Sequence, residues 1–158
     1  MKRIQLLILL LLFASMARAE LPGVLLWQSD QDIETVYSSV YNALEKKHFF
    51  VVFEPNIGKN LAGMADRLGE NYNRNKLTAI RSMVFCNAVY ANGVSNLDPD
   101  MLALCPLHIT LYEQQGKTHV VFLRPAYVSE GSAAQPLLLE IEQAVSAAIK
   151  AGLESATP

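Results

Sequence analysis

Cysteine is scarce in this chain: its 158 residues hold two, Cys86 and Cys105. They form neither a C-x-x-C exchange motif nor a C-x-x-C-H haem attachment site. Phosphate-cradling glycine patterns are missing as well. Gly58-Lys59-Asn60 lacks the spacing and the hydroxyl of a P-loop, and no G-x-G-x-x-G follows a predicted strand. Neither H-E-x-x-H nor the G-x-S-x-G nucleophile elbow occurs. Glu140 and Glu142 lie two apart on a predicted helix, so they point to different sides and cannot share a substrate. An unidentified hydrolase assembled from distant positions is therefore the weakest of three functional readings.

Basic charge is limited too. There are 13 Lys and Arg against 15 Asp and Glu, and three of the basic residues (Lys2, Arg3, Arg18) sit in the first 19 positions. Without that segment the balance is about −5, which argues against binding to a nucleic-acid backbone, a task for clustered Lys and Arg. With 51% hydrophobic residues the chain is apolar enough to build a core and too uncharged to be disordered.

The first 19 residues read as a cleaved export signal. Lys2-Arg3 is a positive start, Ile4 to Phe13 is apolar apart from Gln5, and Ala17-Arg18-Ala19 is a small-x-small cleavage pattern before Glu20. Ile4 to Ala17 would span about 21 Å as a helix, short of about 30 Å of hydrocarbon. No cysteine near the cut offers a lipid anchor. The mature chain is therefore expected to be periplasmic or secreted, with no membrane attachment after cleavage.

Residues 20–153 read as one domain and 154–158 as a frayed tail. Val24–Gln28 is a short strand. Ile33, Val36, Tyr37, Val40 and Leu44 then fall at helical spacing, with Asp32 as N-cap. Phe49–Phe53 predicts a buried strand. Leu61, Met64, Ala65 and Leu68 predict a two-turn helix laid on the core, followed by a mobile loop. Thr78–Cys86 is a strand, Asn92-Gly93 a breaker, and Asp98-Pro99 a cap opening one turn through Leu104. Leu107–Tyr112 and Thr118–Leu123 form a hairpin about Gln114–Lys117. Pro136 opens a last helix with Leu138, Ile141, Val145, Ala148 and Ile149 on one stripe, ended by Gly152. The fold class is α+β: an antiparallel sheet of about five strands with helices packed on one face.

Cys86 and Cys105 each lie at the edge of a predicted strand. An exported pair is expected to be disulfide-bonded. Two buried thiols, a redox pair and a metal site are the alternatives. The sharpest metal version gathers Met83, Cys86, Met101, Cys105 and His108, soft ligands suited to Cu(I), although the methionines serve equally as core fillers. His108 and His119 share a hairpin face but lie about 13 Å apart along it, too far to share an ion. Asn87, at a strand end, either holds a turn or touches a ligand. Arg124, on the apolar parity of its strand, snorkels, pairs with a carboxylate or meets an anion. Arg67, Arg74, Lys76 and Arg81 form a basic group best explained as a solvated loop.

With these residues in view, the sequence resembles the domain of unknown function 302 family from Asp32 to about Gly152. The resemblance rests on the helix and strand Ile33–Phe53, on Phe85-Cys86-Asn87-Ala88, and on Leu104-Cys105-Pro106-Leu107 leading into Ile109–Glu113, Gly116 and Thr118–Pro125. The family commonly has Asn-Pro where Asn87-Ala88 stands, a Leu-Pro pair where Cys105 intervenes here, and Gly at the place of His48. It implies a TATA-binding-protein-like β-α-β4-α arrangement and no particular activity.

The leading functional expectation is a non-catalytic, exported binding or accessory domain, taking a small ligand or a periplasmic protein near Cys86, Asn87, Pro106 and Arg124. A thiol-redox or soft-metal protein using Cys86 and Cys105 is the alternative. No cofactor is implied.

Overall fold

The computed structural model describes residues 21–157. The export signal read at Met1–Ala19 lies outside them. Strand β1 (Val24–Ser29) leads to helix α1 (Ile33–Lys46) and β2 (Phe50–Phe53). Two short helices follow, α2 (Ile57–Ala62) and α3 (Ala65–Leu68), with a 3-10 turn at Gly69–Asn71. Next come β3 (Ala79–Cys86), α4 (Ala88–Leu97) and a 3-10 segment at Pro99–Leu104. The hairpin β4 (Leu107–Gln114) and β5 (Lys117–Leu123) leads to α5 (Pro125–Val128) and the long α6 (Gln135–Ala156). The sheet is five-stranded and antiparallel, in the order β1-β5-β4-β3-β2.

The core lies between α1, α6 and one face of the sheet. The apolar stripe of α1 is buried throughout, from Ile33 to Leu44, and so is that of α6, from Leu138 to Ile149. From the sheet, Met83 and Phe85, Ile109 and Leu111, and Val120 and Phe122 meet these stripes. Full burial of one such side chain stabilises by about 1.5–3 kcal/mol relative to exposure. Asp32 caps α1, its carboxylate accepting from the backbone N–H of Glu34 and Thr35. The hairpin turns on Gln115 and Gly116, both at positive φ (53° and 72°), the backbone a two-residue turn of this kind needs. Tyr112 faces His119, as the hairpin register requires, and the two rings stack at 4.6 Å.

Several expectations are corrected. The strand at Phe50–Phe53 is not buried. It is a sheet edge, and a bulge at Val52 turns both Phe50 and Phe53 outward. The Leu61–Leu68 segment is two short helices broken at Gly63–Met64, and neither buries a residue. Asn92-Gly93 does not break the chain: α4 runs through it, and glycine there keeps a Cβ from standing 2.8 Å from Leu137 Cδ2. Gly152 does not end α6, which continues to Ala156 across most of the expected tail. A Cβ at Gly152 would lie 2.7 Å from Val40 Cα, so this glycine is where α6 meets α1.

Candidate functional site

Cys86 closes β3, and Cys105 follows the 3-10 segment that returns to β4. The two thiols therefore meet at one end of the sheet, 19 residues apart in sequence, with Sγ atoms 3.8 Å apart. A disulfide requires about 2.05 Å. Both cysteines are free and half-buried, so the structural disulfide expected from the sequence is absent here. Two features hold the pair. The Asn87 amide oxygen accepts from the backbone N–H of Val89 and Tyr90, starting α4 directly after Cys86. Asp98 caps the 3-10 segment by accepting from Asp100 N–H, which fixes the return path to Cys105.

The thiols border a cavity beneath α4. Its walls are apolar, including Phe49, Phe85, Met101 and Leu138; it is half open and its volume is about 30 Å³. That is room for one or two water-sized bodies. Burial, followed by the hydrogen bond with Cys86, pushes the Cys105 thiol up to about 11. At neutral pH Cys105 is therefore a thiol, not a nucleophilic thiolate.

The other predicted site residues divide. Asn87 lines the cavity, but its carbonyl is engaged in the cap. Pro106 is exposed and follows a cis peptide bond after Cys105. Arg124 lines a different depression, with Tyr127 and Leu139. Its Nε donates to Glu142 at 3.0 Å and its Nη1 to the Pro22 carbonyl. Glu142 is 5% exposed and also accepts from Ala126 N–H, so Arg124 takes the carboxylate-pairing role. Of the five soft ligands, only Cys86, Met101 and Cys105 converge. Met83 is fully buried in the core, and His108 is exposed on the opposite sheet face. Among the described residues no three or more of His, Cys, Asp and Glu gather where they could hold a metal ion.

A larger groove, about 330 Å³, runs between α2 and β3. Sequence reasoning places Arg81 only in a solvated basic group. Instead, its guanidinium pairs with Glu34 and lies 3.7 Å over the Tyr37 ring. The Tyr37 hydroxyl donates to Glu54 and lies 3.2 Å from the Ser82 carbonyl. Burial and the Glu54 carboxylate both push the Tyr37 phenol above its ordinary value. Nothing in the local sequence around Arg81 signals these partners, which arrive from α1 and from beyond β2.

The model of the domain of unknown function DUF302 matches residues 26–156. The chain belongs to the DUF302 family. No curated protein matches it. Among solved structures it is similar to the crystal structure of an uncharacterized conserved DUF302 protein from Bacillus stearothermophilus. The TM-score is 0.72 at 14% identity, over 83% of this chain and 98% of that one. That likeness places the five-stranded α+β layer within the DUF302 fold. His48, where the resemblance implies glycine, has a φ of 62°, the left-handed conformation glycine serves.

Proposed function

We propose that this DUF302 protein is an exported, non-catalytic binding domain whose ligand is a soft metal ion, Cu(I), held by Cys86 and Cys105. The observation that carries the reading is the 3.8 Å approach of two unbonded thiols at the edge of a small apolar cavity. An ion bonded to both sulfurs at about 2.3 Å needs them within about 4.6 Å of each other. The cavity is too small for an organic ligand. Its donor set, two thiols with the Met101 thioether nearby, is too small for the four ligands of a structural zinc site. Thiolate and thioether ligands favour Cu(I). Binding releases the thiol protons, because a coordinating thiol is deprotonated by the ion itself. The N-terminal end of α4, which opens beside Cys86, favours the resulting anionic bis-thiolate.

The same contact supports a second reading. The dithiol could pass two electrons to a disulfide-bearing partner, so that Cys86 and Cys105 close as a disulfide and the partner leaves as two thiols. The raised Cys105 pKa opposes attack by that thiol, since exchange begins with a thiolate.

Titration of the reduced protein with Cu(I), in competition with a chromophoric Cu(I) chelator, separates the readings. One tightly held ion per chain, lost in both Cys86→Ser and Cys105→Ser, is the expected result. No retention against the chelator, or retention unchanged in the variants, would overturn the copper reading.

A further inference from the structure

The groove between α2 and β3 is built around one arginine. Arg81 shares the strand parity of Met83 and Phe85, so it stands on the helix-covered face of β3, with its side chain 23% exposed. Its guanidinium lies 3.7 Å over the Tyr37 ring, and that ring is fixed in turn by the bond from its hydroxyl to Glu54 at 2.8 Å. The loop wall of the groove is held as firmly. The Asn73 amide accepts from Leu77 N–H and donates to the Leu77 carbonyl, both at 2.8 Å, and Gln114 donates to the Asn75 carbonyl at 2.9 Å. Leu61, Leu77 and Ile80 add apolar surface, Tyr72 an aromatic ring and Lys59 a second cation. At about 330 Å³ the groove has the size of a small-molecule site. Charge gathers here as well: Ile57–Arg81 holds Lys59, Arg67, Arg74, Lys76 and Arg81 against Asp66 and Glu70, in a chain that is acidic overall.

We infer that this groove is a second binding site, for a small organic acid whose carboxylate sits on Arg81 and whose apolar body fills the space beside it. Three observations select that ligand. First, the site already receives a carboxylate: Glu34, in the first turn of α1, pairs with Arg81 Nη1. The Glu34 side chain is 66% exposed, so it leaves for water at little cost, whereas the Arg81 guanidinium is held on its aromatic ring. Glu34 therefore acts as a tethered competitor for the ligand carboxylate. Second, a guanidinium is a planar fork that matches a carboxylate through two parallel bonds, and a fork already fixed in place loses little freedom on binding. Third, the groove is lined by apolar as well as charged side chains. An inorganic anion would leave the apolar lining unused, while the body of an organic acid buries it. The surplus of basic residues around the groove draws the anion in.

The proposal does not depend on the copper reading, because no residue lines both the groove and the thiol cavity. Calorimetric titration of the full chain with 3-phenylpropionate and with hexanoate tests it, and the NMR signal of the Arg81 guanidinium reports where they bind. Saturable binding with a Kd of about 1 mM or tighter is expected for acids of about ten heavy atoms. The uncharged 3-phenylpropionamide should bind at least about tenfold more weakly, and so should the acids in Arg81→Gln, since each change removes a charged hydrogen bond. Glu34→Ala should bind the acids up to about fivefold more tightly, the worth of the exposed ion pair that competes with them. An ion pair with a structural role alone gives no such gain. Circular dichroism establishes that both variants are folded. No saturable binding of either acid to Glu34→Ala at about 10 mM would overturn the proposal. Equal binding by folded Arg81→Gln or of the amide would also overturn it. Inorganic phosphate binding as tightly as the acids would do the same, by showing an unselective anion site.

Discussion

Gly152 and Val40 are in backbone contact: a Cβ added at Gly152 would stand 2.7 Å from Val40 Cα and 2.9 Å from its Cγ2. In an exposed helix, replacing glycine by alanine stabilises by about 1 kcal/mol. Here the obstructing atom belongs to the backbone of α1 and cannot swing away. Gly152→Ala is therefore expected to destabilise by about 2 kcal/mol, the range of an overpacked core. Chemical denaturation reads the sign directly, and a stabilised variant would mean that α1 and α6 are not in contact there.

His48 shows the opposite case. Its φ of 62° costs a residue with a Cβ about 1 kcal/mol or more. His48→Gly is expected to raise stability by about 1 kcal/mol, less whatever the freer unfolded chain gives back. A thermal melt of the variant is sufficient.

These two positions show what the sequence makes legible. The stripes of α1 and α6, the Asp32 cap and the hairpin are all local patterns, and each appears where its spacing predicts. Gly93 and Gly152 mislead because their purpose is a neighbouring helix, invisible in the surrounding residues. The bulge that exposes Phe50 and Phe53 leaves no mark on a β-rich run. At the site, Cys86, Asn87 and Cys105 stand out because they sit at element ends. Arg124 is legible as an anomaly, but its partner Glu142 is 18 residues away on another element. The Arg81 groove is assembled from three separate segments and has no local signature at all.

The Glu142 carboxylate joins α6 to the Arg124 guanidinium and to Ala126 N–H. Breaking a fully buried pair costs about 3–5 kcal/mol, but the Arg124 side chain is 36% exposed, which lowers the figure. Glu142→Ala is expected to cost about 2 kcal/mol. Glu142→Gln, which keeps an acceptor for Ala126, should cost less. Equal losses in urea unfolding would show that the charge carries the whole contact.

Reduced, metal-free protein should lose stability in alkali. The Cys105 thiol ionises near 9 when unperturbed and near 11 in the fold, so the folded state holds its proton more tightly. The contribution is complete below about pH 9, falls as pH rises towards about 11, and is constant above that. Alkylation of Cys105 should follow the same high midpoint. In Cys86→Ser the midpoint should fall part of the way back, since burial remains while the neighbouring thiol is gone. A midpoint at the ordinary value in the wild type would contradict the buried-thiol geometry.

The most direct test of the copper reading is a native mass spectrum of the protein purified from the cell without reductant. One copper per chain in place of the thiol protons is the predicted mass, and it should disappear in Cys86→Ser. A metal-free chain lighter by two hydrogens would contradict the account, because Cys86 and Cys105 would then be a structural disulfide and not an ion site.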